Sequence, residues 1–131
     1  MAKGKIMVVD DENDVRDVIR LQLEQKGLNV LEAVDGQNAI DILKSGDNMV
    51  NVGLILCDIR MPKVNGVECI DFLRKEAPGI PIVVITGYPD TELATRLMKK
   101  GVKDYLVKPV EKEKLMAVVD EQISAGKAID F

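Results

Sequence analysis

The sequence predicts a doubly wound α/β domain, with a parallel sheet covered by helices on both faces. Three observations predict it. Five short apolar runs rich in β-branched residues alternate with longer segments of helical period. The first, third and fourth runs are continuous rather than alternating, as strands buried on both faces must be. Strand–helix alternation repeated five times then requires parallel strands joined by right-handed crossovers.

Taken in order, the predicted strands are Ile6-Met7-Val8-Val9, Val30-Leu31-Glu32-Ala33-Val34, Leu54-Ile55-Leu56-Cys57, Ile82-Val83-Val84-Ile85 and Tyr105-Leu106-Val107. Between them, apolar residues recur at helical spacing. Val15, Val18, Ile19 and Leu23 mark the first helix, and Ala39, Ile40 and Leu43 mark a weaker second. Gly66, Ile70 and Leu73 mark the third; Leu93, Ala94, Leu97, Met98 and Gly101 the fourth; Leu115, Val118, Val119 and Ile123 the fifth. A glycine follows each stretch (Gly27, Gly46, Gly79, Gly101, Gly126), as expected for left-handed C-terminal caps. The pattern fills the chain from about Lys5 to Ser124, with no linker, low-complexity tract or repeated sequence. One domain over residues 1–131 is therefore expected, its core within about 5–124.

Composition narrows the function. A net charge of −4 and a pI near 4.9 argue against a nucleic-acid-binding surface, which is normally basic. The two cysteines, Cys57 and Cys69, lack metal-ligand spacing and are expected to be small buried hydrophobes in a reducing cytoplasm. No signal-peptide core and no membrane-length apolar run occurs, so the chain reads as cytoplasmic, with no membrane partner. The absence of histidine excludes serine–histidine or cysteine–histidine catalysis and histidine-ligated metals within this chain. Any chemistry must fall on carboxylates, lysines and hydroxyls.

In doubly wound sheets, ligands bind outside the carboxyl ends of the strands, where the strand order reverses. After the first strand come Asp10, Asp11 and Glu12; after the third, Asp58; after the fourth, Thr86 and Gly87; after the fifth, Lys108 and Pro109. Asp35-Gly36 after the second reads as a turn and helix cap. Converging carboxylates raise one another's pKa unless a cation intervenes, and an oxygen-only donor set with room for water suits Mg²⁺. With a lysine opposite and a hydroxyl nearby, these groups form an electrostatic clamp for a phosphoryl group. Asp58, alone on a central strand, is the best candidate nucleophile, while the adjacent Asp10 and Asp11 are better placed to hold metal. Singly, each motif is an ordinary turn or cap. Together, each at the end of its strand, they are not.

These residues resemble the receiver domain of two-component response regulators. The matching pieces are Val8-Val9-Asp10-Asp11-Glu12, Asp58-Ile59-Arg60-Met61-Pro62 with Gly66, Ile85-Thr86-Gly87 and Tyr105-Leu106-Val107-Lys108-Pro109. With no output domain expected, the chain resembles the single-domain chemotaxis type. The resemblance implies a flavodoxin-like (βα)5 fold with strand order 2-1-3-4-5. It implies a switch that takes a phosphoryl group onto Asp58 from a histidine kinase or histidine phosphotransfer protein, and no turnover of a separate substrate. Mg²⁺ is then expected on Asp11, Asp58 and the backbone carbonyl of Arg60, with Asp10 acting through water. Lys108 should contact the phosphoryl group, and Thr86 should swing toward it while Tyr105 turns inward. The bond between Lys108 and Pro109 should be cis. The face made by the fourth helix, fifth strand and fifth helix is the expected surface for a downstream target or homodimer. Arg60 and Tyr88, two residues past the acceptor and the threonine, should flank the phosphoryl entrance and lengthen its lifetime.

Rival readings fit less well. A haloacid-dehalogenase-type phosphatase places a second aspartate two residues beyond its nucleophile and carries a cap; here Asp10 and Asp11 are adjacent. A flavin-binding module needs a glycine- and hydroxyl-rich phosphate loop where this chain has three acidic residues. A receiver-like scaffold that has lost phosphorylation would lack an acidic residue, the acceptor or the lysine, and all are present.

Overall fold

The computed structural model describes residues 4–59, 66–87 and 90–129, with the backbone alone at 66, 67 and 124–129. Five strands, β1 (Lys5–Val9), β2 (Asn29–Ala33), β3 (Val52–Asp58), β4 (Ile82–Thr86) and β5 (Asp104–Val107), form one sheet in the order β2-β1-β3-β4-β5. Every neighbouring pair is parallel. The helices are α1 (Asn13–Gln25), α2 (Gly36–Leu43), α3 (Asn48–Asn51), α4 (Gly66–Glu76), α5 (Thr91–Lys99) and α6 (Lys112–Ile129). The predicted fold class and strand order hold.

Alternation along the strands builds two separate cores. Ile6, Val8, Leu54, Leu56, Val83 and Ile85 face α1 and α6, where they meet Ile19, Leu23, Leu115 and Val119. Their neighbours Met7, Val9, Ile55, Cys57 and Val84 face the other way, against Ile40 of α2, Ile70 and Leu73 of α4, and Leu97 of α5. This two-sided burial is why β1, β3 and β4 read as unbroken apolar runs: a period of two leaves no position facing water.

The helices depart from expectation in identifiable places. α3 is a single turn too short to show any period, held by Lys5 Nζ donating to Asn48 Oδ1 at 3.0 Å and Asn48 Nδ2 donating to the Ile42 carbonyl at 2.9 Å. Val18 and Met98 share the helical spacing of core residues yet lie on the flanks of α1 and α5 and are exposed. Gly27 and Gly101 cap α1 and α5 with φ of +85° and +100°, and Leu28 and Val102 donate back to Leu23 and Leu97. Gly79 takes no left-handed conformation, and α6 continues through Gly126 to Ile129. A glycine inside a helix costs only about 1 kcal/mol relative to alanine, so it need not stop one. Asp35 is the cap the sequence suggested, its Oδ1 accepting from the Asn38 amide at 2.7 Å.

Candidate functional site

The reversal of strand order falls between β1 and β3, and the groups singled out from sequence gather at the carboxyl ends of β1, β3, β4 and β5. The sheet itself sets their alignment. Val9 pairs with Cys57, which brings Asp10 beside Asp58, and Asp58 pairs with Ile85, one residue before Thr86. Lys108 then donates its amide to the Thr86 carbonyl at 2.7 Å. Four side chains that are far apart in sequence are thereby fixed along one edge.

Asp10 is buried and fully engaged. Its Oδ1 accepts from the Glu12 amide at 2.8 Å, its Oδ2 accepts from Lys108 Nζ at 3.1 Å, and its carbonyl accepts from the Arg16 guanidinium. Lys108 Nζ also lies 3.2 Å from Asp58 Oδ1 and 3.6 Å from Glu12 Oε1. Burial alone would lower the Lys108 pKa, but Asp58 and Asp10 overcome it and hold the ammonium above its ordinary value. For Asp58, burial and the neighbouring Asp10 push the carboxyl up to about 6 against the pull of Lys108. Asp58 Oδ2 is buried with no hydrogen-bond partner among the described residues.

That orphaned oxygen is the test of fit for a metal. Carboxylate oxygens of Asp10, Asp11, Glu12 and Asp58 all lie within 4.8 Å of one another, Asp11 and Glu12 on the exposed side. An all-oxygen set with an unsatisfied inward carboxylate and solvent on one side suits a hard divalent cation such as Mg²⁺, which would supply charge beyond that of Lys108. The residues present fit the group. Beside them a cleft of about 320 Å³ runs from Asp10, Asp11 and Asp58 across to Asp35, Gly36 and Cys69.

Thr86, the last residue of β4, is buried and its Oγ1 donates to the Ile59 carbonyl at 3.1 Å. Tyr105 already packs against the core under α4 and α5, and its hydroxyl is buried without a hydrogen bond among the described residues. The Lys108–Pro109 bond is cis, as expected. Arg60 and Tyr88, with Met61, Pro62 and Asn65, lie outside the described residues.

Three contributors were not assigned roles from sequence. Glu12 was the third member of an acidic triplet, and its approach to Lys108 follows from that position. Arg16, 11% exposed, pairs with Glu32 of β2 at 3.2 Å while gripping Asp10, so it ties α1 to two strand ends. Its place one turn into α1 was legible, but its partners were not. Cys69, expected to be a buried hydrophobe, is half-buried on the cleft wall, and the neighbouring Cys57 thiol holds its pKa below the ordinary thiol value.

Comparison with known proteins agrees with this geometry. Residues 6–120 match the family model of the response regulator receiver domain. The transcriptional regulatory protein FixJ of Bradyrhizobium diazoefficiens is 33% identical over 121 residues, covering 92% of this chain and 57% of that protein. Among solved structures, a response regulator receiver domain protein from Clostridium thermocellum superposes with a TM-score of 0.84 at 29% identity, covering 96% of this chain and 98% of that one. The beryllofluoride-activated NtrC4 receiver domain dimer gives 0.81 at 27% identity, covering 93% and 98%. The chain spans 57% of FixJ and 27% of the ZraR protein of Escherichia coli, so curated relatives extend well beyond the matched region. No helix among the described residues is long and apolar enough to cross a membrane. With the family model matched over most of its length and the acidic cluster, threonine and lysine aligned on one sheet edge, this chain belongs to the receiver-domain family of two-component response regulators, whose members work as phosphorylation-activated switches.

Proposed function

We propose that Asp58 is the phosphoacceptor and that the chain takes a phosphoryl group from a histidine kinase or histidine phosphotransfer protein. The observation that carries this is the pairing of Asp58 with Lys108: one carboxylate oxygen is held at 3.2 Å from the ammonium, and the other is buried with no hydrogen-bond partner among the described residues. A carboxylate oxygen of Asp58 attacks the phosphorus of the phosphoimidazole; the P–N bond breaks as the P–O bond forms, and the imidazole leaves with a proton. Lys108 stands where it can neutralise charge on the equatorial oxygens. Asp11 and Asp58 would hold Mg²⁺, with Asp10 acting through water and the Arg60 carbonyl as a further donor. Bound there, the cation would neutralise donor and acceptor charge together. The chain catalyses only its own phosphorylation and dephosphorylation.

Thr86 lies one strand away and has a hydroxyl that can exchange the Ile59 carbonyl for a phosphoryl oxygen. That exchange would alter the packing available to Tyr105, carrying the change to the face of α5, β5 and α6. Met98 and Val107 on these elements are exposed apolar residues. A downstream target or a second copy is assigned to this face, in line with the dimeric state named for the NtrC4 receiver domain. Residues 1–131 are read as one receiver unit whose partners act through that face.

A phosphotransfer profile tests the reading. Purified histidine kinases, each carrying labelled phosphohistidine, are mixed briefly with the chain. Rapid transfer from one of them to wild type and none to Asp58→Asn is expected. Transfer to both proteins alike would place the acceptor elsewhere.

A further inference from the structure

Asp11 belongs to a loop: β1 ends at Val9 and α1 begins at Asn13, so residues 10–12 lie between them. Asp10 shows how that loop is held. Its amide donates to the Ala33 carbonyl at 3.0 Å, its Oδ1 accepts from the Glu12 amide at 2.8 Å, and its carbonyl accepts from Arg16 Nη1. That carbonyl is part of the peptide joining Asp10 to Asp11. A peptide unit is planar, so aiming its carbonyl also aims the Asp11 amide and sets where the Asp11 Cα sits.

Arg16 is braced in turn. Its Nη2 donates to Asn13 Oδ1, and its Nε donates to Glu32 Oε1 at 3.2 Å. Glu32 stands in β2 opposite Val8, so the guanidinium is anchored to the sheet as well as to its own helix. Reaching a strand carboxylate, a loop carbonyl and a side-chain amide at once uses the planar fork of arginine; a lysine offers a single nitrogen. Arg20, one turn further along α1, provides the contrast. Its Nε lies 3.4 Å from Glu32 Oε2, and its other ion pairs are with Asp17 and Glu24 of the same helix.

We propose that Arg16 is a positioning residue for the divalent cation: by gripping the Asp10 carbonyl, it holds the Asp10–Asp11 peptide in the orientation that presents Asp11 toward Asp58. The inference rests on the reading of Asp11 and Asp58 as the ligands of that cation. Arg16 is a positive charge near an acidic site, so charge alone opposes the cation, and removing it would tighten binding. Positioning has the opposite sign. Loss of a group that orients a metal's ligands weakens binding, here by about tenfold. The direction of the change therefore separates the two roles.

The experiment follows the amide chemical shifts of the whole chain as Mg²⁺ alone is added to wild type, Arg16→Met, Arg16→Lys, Arg20→Met and Asp11→Asn. The same spectra report whether each variant is folded. Arg20→Met should bind as wild type does, Arg16→Met about tenfold more weakly, and Arg16→Lys in between. Asp11→Asn should lose most of the binding. Affinity in Arg16→Met equal to or tighter than wild type, with Asp11→Asn impaired, would overturn the positioning role and leave the ligand reading standing. Wild-type affinity in Asp11→Asn would remove the ligand reading and the proposal with it. Equal weakening in Arg20→Met and Arg16→Met would reduce Arg16 to a general support of α1, which also overturns the proposal. If Arg16→Met does not fold, Arg16→Lys decides: it keeps the charge and loses the fork, so wild-type affinity there would count against positioning.

Discussion

Lys108 Nζ lies 3.2 Å from Asp58 Oδ1 with both side chains largely withdrawn from solvent, 18% and 4% exposed. The same ammonium stands 3.1 Å from Asp10. Among the described residues one cation thus serves two buried carboxylates, and the balance of charge they make is incomplete without a second. Much of what the site is expected to do follows from that deficit.

Removing the ammonium should be costly to the metal-free protein. Lys108→Met leaves Asp10 and Asp58 facing each other without a counter-charge. A loss of about 2–3 kcal/mol in urea unfolding with a chelator present is expected, somewhat below the usual cost of breaking a buried pair because Asp58 can take up a proton. Excess Mg²⁺ should narrow the gap. An unchanged midpoint would mean that the ammonium does not compensate the carboxylates.

The pH dependence runs opposite to that of a salt-bridged surface carboxylate. Asp58 is raised from the ordinary 3.8 to about 6, first by burial and then by Asp10. Between those values the folded state binds more protons than the unfolded state, so this group favours folding at low pH and loses that contribution as pH rises through about 6. With chelator near neutral pH, Asp58→Asn should be more stable than wild type by about 1–3 kcal/mol. The advantage should vanish as pH falls below the ordinary carboxylate value. An advantage that grows on acidification would contradict the assignment.

Tyr105→Phe should leave stability unchanged or raise it by about 1 kcal/mol, because the hydroxyl removed is buried with no hydrogen bond among the described residues. Thermal unfolding checks this. A loss of more than about 1 kcal/mol would reveal a hydroxyl partner outside the described residues.

Thr86→Ala should separate acceptance from response. It removes the bond to the Ile59 carbonyl, at about 1 kcal/mol, but leaves Asp58, Lys108 and the acidic cluster in place. Phosphorylation of Asp58 should persist, while the change in amide exchange that phosphorylation produces across residues 91–119 should disappear. An exchange response equal to that of wild type would remove Thr86 from the switch.

The fold was legible in the chain because burial on both sheet faces writes an unmistakable pattern: β1, β3 and β4 have no solvent side, so no polar residue interrupts them. The site was legible for a related reason, since Asp58 and Thr86 close their strands, Asp10 and Lys108 directly follow theirs, and parallel strands end together. Contacts that run sideways were not legible. Val18 and Met98 satisfy the helical period but fall at the edge of the buried stripe, which is set by how each helix sits on the sheet. The single turn at Asn48–Asn51 is shorter than any period. The meeting of Arg16 with the Asp10 carbonyl depends on helix placement rather than on spacing.

The central claim is that Asp58 accepts the phosphoryl group with help from a divalent cation and Lys108. Mass spectrometry of the whole chain after incubation with acetyl phosphate and Mg²⁺ tests it most directly. The account predicts one added phosphoryl group, mapped to Asp58, absent from Asp58→Asn and abolished by chelation. Equal labelling of Asp58→Asn and wild type, or labelling that persists without a divalent cation, would contradict it.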